Sequence, residues 1–130
     1  MFSMFEGCKS LTSIDLSVFN TKYVEDMQYM FVGCTSLTSI DLSMLNFESV
    51  TIMSDIFKGC TSLKEVNLFN AKAKNAEDIM DMFSGCTSLI KVNLTNLMRK
   101  KQILYMEYFK DVHLLLKLTF LVLMLKRILY

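Results

Sequence analysis

Residues 33–57 read GCTSLTSIDLSMLNFESVTIMSDIF, and the chain writes variants of this stretch several times. The pentapeptide Gly-Cys-x-Ser-Leu begins at Gly7, Gly33, Gly59 and Gly85, and the interval between successive starts never changes. A fixed period of this length is typical of a repeat protein, in which each unit buries its apolar side against its neighbours. The sequence therefore predicts one array of 26-residue units over residues 1–97.

Each unit contains two different apolar patterns. Ile14 and Leu16 alternate with polar residues, as in a strand with one buried face. Val24, Met27 and Phe31 then follow helical spacing, and the glycine after them suits the end of a helix. These patterns predict an α/β solenoid: a leucine-rich-repeat-like, right-handed stack of strand–loop–helix units with a parallel sheet on one face. The predicted strands lie at 13–16, 39–42, 65–68 and 91–94.

The four cysteines, Cys8, Cys34, Cys60 and Cys86, are separated by the repeat period and by nothing shorter. A zinc site or a small disulfide scaffold needs closer or irregular spacings. The pattern therefore predicts one buried, reduced thiol in each unit, packed as a small apolar group. Disulfides between neighbouring units are the alternative.

The overall composition excludes several classes of function. The chain has 130 residues and a net charge of +1, so neither nucleic acid nor an anionic membrane surface is expected as a partner. The repeats contain no histidine, no nucleophile elbow and no phosphate-binding loop, so we expect no enzyme activity, cofactor or metal. No secretory signal is predicted at the N-terminus, because a basic segment followed by an apolar run is missing there.

The pattern GC-x-SL-x-x-(I/V)-(D/N)-L-S, followed by V-x-x-M-x-x-MF, resembles the repeat of the BspA-like leucine-rich-repeat surface proteins of host-associated bacteria and some protists. The resemblance covers residues 1 to about 97. It implies a non-catalytic binding or adhesion module, secreted or on the cell surface, that engages a protein or glycan through its concave sheet. Without a signal the chain as given would be cytoplasmic, and an intracellular interaction module is an alternative.

The polar positions of the strands form the candidate binding face. Parallel strands lie about 4.8 Å apart, so equivalent positions of successive units stack into columns. An ordinary solvated sheet is the competing interpretation, and two carboxylates alone would make a poor calcium site. The three columns are Ser13, Ser39, Glu65 and Lys91; Asp15, Asp41, Asn67 and Asn93; and Ser17, Ser43, Phe69 and Thr95.

Residues 98–130 depart from the repeat and are rich in leucine and lysine. A membrane anchor is disfavoured because residues 112–125 are too short for a span and contain His113 and Lys117. An amphipathic capping or interfacial helix is a second interpretation. The third is a fifth repeat translated out of frame, in which His113 has no function. The next Gly-Cys-Thr-Ser is due at position 111, and codons for residues 110–114 exist that spell it in another frame.

Three functional hypotheses remain from the sequence. The leading one is the surface binding module, as a fragment of a longer array. A nonfunctional product of a truncated, frameshifted gene and the intracellular module are the alternatives. Uncovered repeat ends would also favour self-association, because each unit normally packs against two neighbours.

Overall fold

The computed structural model describes residues 1–93 and 111–112, and its strands form one parallel sheet. The strands are β1 (Ser39–Asp41), β2 (Glu65–Asn67) and β3 (Lys91–Asn93), in the order β1-β2-β3. Each residue pairs with the one that lies a full repeat period later, for example Ile40 with Val66. Three of the four predicted strand positions are thus confirmed, whereas residues 13–16 form no strand.

The strands form where β-branched residues alternate with polar ones. Ile40 and Val66 are buried between flanking residues that face solvent to a greater extent. Next to the strand, the Leu42 N–H donates to the carbonyl of Asn67 at 2.9 Å, which extends the contact between units. The alternation therefore fixes which side of each short strand faces the core.

The predicted strand–loop–helix solenoid is wrong, because residues 1–93 and 111–112 contain no helix. The first segment expected to be helical donates its hydrogen bonds to the next unit. The Phe31 N–H bonds the carbonyl of Ile56 at 2.9 Å, where a helix would use Met27. Tyr29 has a φ of 59°, which a right-handed helix does not allow.

These segments are runs of tight turns that hydrogen-bond to their neighbours at every second residue. The N–H groups of Met53, Asp55 and Phe57 donate to carbonyls of the following unit at 2.7–2.9 Å. Ile52 also forms isolated parallel bridges with Asp26 and Asp78. Apolar residues at helical spacing, such as Val24, Met27 and Phe31, therefore face the core without forming a helix. The turns bring their side chains to the same side of the chain.

The core is built from columns of equivalent side chains, one from each unit. The rings of Phe31 and Phe57 stack at 5.7 Å between centroids and 6° between planes, and Phe57 stacks on Phe83 in the same way. Phe5 extends the column at 5.2 Å from Phe31. Because each ring contacts the ring of the next unit, the column ties the units together along the whole described array.

The cysteine column confirms three of the four predicted buried thiols. Cys34, Cys60 and Cys86, here called the three buried thiols, are free and fully buried. Each Sγ donates to the carbonyl of a phenylalanine on the N-terminal side of the stack at 3.0–3.1 Å, for example Cys60 to Phe31. Burial raises the pKa of all three thiols, to about 12 for Cys86. Cys8 is exposed, so the prediction was wrong there.

The glycine column is required by backbone geometry as well as by space. Gly59 and Gly85 have φ values of 74° and 75°, a region that side chains disfavour. A Cβ on Gly85 would lie 3.4 Å from the backbone of Gly59. Successive glycines therefore permit both the turn and the close approach of neighbouring units.

Candidate functional site

The structure places the predicted binding columns side by side on the exposed side of the sheet. Ser39, Glu65 and Lys91 are paired across the three strands, and so are Asp41, Asn67 and Asn93. Thr95 lies outside the described residues. Ser13, Asp15 and Ser17 occupy the equivalent exposed positions of the first unit, although no strand forms there. Together with Ser43 and Phe69, the described members make up the surface called the polar face below.

The middle column of the polar face shapes the turns that follow the strands. One side-chain oxygen of Asp15, Asp41 and Asn67 accepts the backbone N–H two residues later, at 2.9, 2.8 and 3.1 Å. Aspartate and asparagine favour this local turn because their short side chains reach their own backbone. Hydrogen bonds from the backbone and hydroxyl of Ser17 lower the pKa of Asp15. The Ser43 hydroxyl and N–H do the same for the pKa of Asp41.

Two contacts join the columns of neighbouring units. The Asn67 amide donates to the Asp41 carboxylate at 3.1 Å, and Lys91 forms an ion pair with Glu65. Both pairs are largely exposed to solvent, so each stabilises the fold only slightly. Negative charge therefore remains at the end of the face that carries Asp15 and Asp41, while the other end is balanced by the ion pair.

The chemistry of the polar face is that of hydrogen bonding. Its side chains are mainly carboxylates, amides and hydroxyls, and several of them already hydrogen-bond within the face. Among residues 1–93 and 111–112, no group of three or more His, Cys, Asp or Glu side chains is placed to hold a metal ion. Such a surface can recognise a partner by hydrogen bonds.

Large apolar side chains interrupt this polar surface at the ends of the strands. Phe69 is 53% exposed, and Met44 and Val18 occupy neighbouring turn positions of other units with exposures of 72% and 82%. Phenylalanine and methionine are enriched in protein interfaces relative to the remaining surface. These three residues are here called the apolar rim. A need for solubility explains the polar side chains of the face but not these three.

An open cleft of about 310 Å³ adjoins the apolar rim between the second and third units. Met44, Glu48 and Lys72 are among the residues that line it. Leu45 and Phe47 of the second unit also line it, whereas the third unit has alanines at the equivalent positions. The repeat pattern alone does not predict this cleft, although the sequence carries a signal for it: alanines at 71 and 73 stand one repeat period after Leu45 and Phe47.

Residues 111 and 112 continue the repeat in register. Asp111 has a φ of 62°, close to the values of 68–75° at Gly33, Gly59 and Gly85. Val112 is buried in the core cluster, as are Cys34, Cys60 and Cys86 at the equivalent positions. At the position predicted for the next Gly-Cys pair, the first residue therefore has the expected positive φ and the second is buried as expected. The residues there are Asp and Val in place of Gly and Cys. The described residues contain no helix long and apolar enough to cross a membrane.

A comparison with protein families identifies the family of the chain. A family model described as a Mycoplasma protein of unknown function, DUF285, matches residues 1–113. This chain belongs to the DUF285 family. The match covers all four Gly-Cys pentapeptides and reaches the pair at 111–112, so it is compatible with the resemblance to BspA-like repeats. No curated protein and no solved structure matches the chain.

Proposed function

We propose that this DUF285 protein is a non-catalytic binding module that engages a partner through the polar face and the apolar rim. The observation that carries the proposal is the exposure of Phe69 and Met44 beside hydrogen-bonding columns. Covering an exposed aromatic ring with a partner contributes favourably to the free energy of binding, whereas hydrogen bonds to the polar columns orient the partner. Family resemblance supports display on a cell surface or secretion.

A protein partner is favoured over a glycan. The apolar rim combines phenylalanine, methionine and valine, and its Met44 also lines the open cleft, which resembles the anchor region of a protein interface. The amide and hydroxyl groups of the polar face would also serve a sugar, so a glycan is the alternative ligand.

Selection of peptides from a random phage-displayed library on the purified chain tests the proposal. Peptides bound to the apolar rim should lose binding to a Phe69→Ser variant, because the exposed ring is their anchor. Tyr23→Ser is the matched control, since Tyr23 is an exposed aromatic residue outside the polar face. Binding that is insensitive to Phe69→Ser, or equally sensitive to both changes, would contradict the proposal. A glycan array read with the same variants tests the alternative ligand.

The geometry at Asp111 also supports the proposal that residues 98–130 derive from a fifth repeat read out of frame. Asp111 adopts the backbone conformation that the repeat assigns to glycine, and Val112 fills the cysteine column. The nucleotide sequence of codons 110–114 tests this directly. Codons that do not spell Gly-Cys-Thr-Ser in the alternative frame would refute it.

A further inference from the structure

The apolar rim runs along the direction in which the units stack. Val18 and Met44 are one repeat period apart, so they occupy the same position in neighbouring units, and Phe69 lies in the third unit beside the equivalent position. Met44 is 72% exposed although its unit has a described neighbour on both sides. Its exposure therefore follows from its place in the turn, and the rim is an apolar strip that crosses three units.

Polar columns border the apolar rim on both sides. The residues two positions after each strand belong to the rim, so the column before them is the middle column of the polar face and the column after them lies in the following turn. A partner that fits this surface is therefore apolar along one line and polar beside it. The bordering residues are Asp15, Asp41 and Asn67 on the strand side, and Asn20, Asn46 and Lys72 on the other.

The spacing of the units restricts which partner backbone matches the rim. Phenylalanine rings of successive units lie 5.2–5.7 Å apart. Parallel strands lie about 4.8 Å apart, so two steps along the array span about 10 Å. Residues i and i+7 of an α-helix share a face and are separated by about 10.5 Å, whereas residues i and i+4 of a strand span about 13 Å. A helix therefore keeps three apolar side chains in register with Val18, Met44 and Phe69, and a strand does not.

The charges beside the rim change sign along the array. Asp15 and Asp41 border its first two units, whereas Lys72 borders the third unit at the cleft. Lys22 and Glu48 lie farther from the rim at equivalent positions of the first two units, and their opposite charges offset each other. A helix carries partial positive charge at its N-terminus and partial negative charge at its C-terminus. The charges therefore favour a helix whose N-terminus lies over the first unit.

We propose that the segment bound at the apolar rim is an amphipathic α-helix of a protein partner, lying along the array, an inference that rests on the binding function proposed above. Its apolar residues at i, i+3 or i+4, and i+7 cover Val18, Met44 and Phe69. Its N-terminus lies over Asp15 and Asp41, and its C-terminus over Lys72. In this arrangement the helix covers the exposed apolar strip, and its terminal partial charges face side chains of opposite sign.

Peptides that are selected on the chain and lose binding in Phe69→Ser provide the probe, because they bind the apolar rim. Circular dichroism should show an increase in helical signal when such a peptide binds the full chain. Replacing each peptide position by alanine should weaken binding about tenfold or more at three apolar positions, spaced at i, i+3 or i+4, and i+7. Met44→Ser and Val18→Ser in the chain should weaken binding of the same peptide, whereas Tyr23→Ser, at an exposed position outside the rim, should leave it unchanged.

The direction of the helix is tested with a nitroxide attached to either end of the peptide. An N-terminal nitroxide should broaden the NMR signal of Ser17 in the labelled chain, and a C-terminal nitroxide that of Asn70. The double change Asp15→Asn and Asp41→Asn should weaken binding about two- to fivefold at low ionic strength. Asparagine preserves the turns at these positions, as Asn67 does in the third unit. Asp78→Asn is the matched control, because Asp78 makes the same local hydrogen bond outside the polar face.

The possible results separate this inference from the function on which it rests. A rim-dependent peptide that binds in an extended conformation, or whose sensitive positions alternate at i, i+2 and i+4, overturns the helix and leaves the binding function in place. Reversed nitroxide effects, or equal effects of the double change and of Asp78→Asn, overturn the proposed direction. If no selected peptide depends on Phe69, the binding function itself fails and the helix fails with it.

Discussion

Replacing Phe57 by leucine tests the phenylalanine column where its contribution should be largest. The ring is fully buried and stacks on both Phe31 and Phe83 at 5.7 Å. Each aromatic pair contributes about 0.5–1.5 kcal/mol beyond the area it buries, so losing both costs about 1–3 kcal/mol. Leucine keeps the position apolar, which leaves the variant folded if total stability is in the usual range of about 5–15 kcal/mol.

Urea unfolding followed by circular dichroism measures this loss as a change in the free energy of unfolding. Phe2→Leu is the matched control, because Phe2 is 56% exposed and meets Tyr29 only edge-on. That change should cost less than about 1 kcal/mol, since substitutions at exposed positions are usually small in effect. Equal losses for the two variants would refute the idea that stacking between units stabilises the array.

The remaining predictions concern the thiols, the glycine positions and pH. Cys8 should react with a thiol reagent at once, and the three buried thiols only on unfolding, because burial raises their pKa and blocks access; rapid labelling of all four would contradict the structure. Gly59→Ala should destabilise the fold by about 1–2 kcal/mol at its φ of 74°, while Asp111→Gly should stabilise it, both measured by urea unfolding. The pKa of Asp41 is lower in the folded chain than in the unfolded one, so its carboxylate stabilises the fold at pH values above the unfolded-state pKa of about 4. Stability should therefore fall as the pH drops through about 4 and below, and it should fall less steeply in Asp41→Asn. Identical pH profiles of the two proteins would exclude this contribution.

The features that depend on the period alone were predictable from the sequence. The repeat spacing placed three strands correctly, and it assigned residues such as Leu42 and Cys60 to the core. Those inferences hold because every unit repeats the same contacts, so one pattern determines them all. The polar columns on the exposed side of the sheet follow from alternation in the strands in the same way.

The features that the sequence did not predict depend on which partner a group finds in space. Apolar residues at Val24, Met27 and Phe31 suit a helix and a run of turns equally, and hydrogen bonds to the next unit decide for turns. Cys8 lies in the same Gly-Cys-x-Ser-Leu pattern as the buried cysteines, but its burial requires a neighbour. The cleft beside Met44 is lined by residues of two different units, which no single repeat shows.

Detection of hydrogen bonds by scalar coupling tests the central claim, that neighbouring units are joined by a backbone ladder in place of helices. In a chain labelled with 15N and 13C, the Phe57 amide nitrogen should couple to the carbonyl carbon of Met82, its acceptor at 2.9 Å. The Phe31 amide should couple to Ile56 of the following unit in the same way. Coupling of Phe57 to Met53, the partner that a helix would supply, would contradict the account.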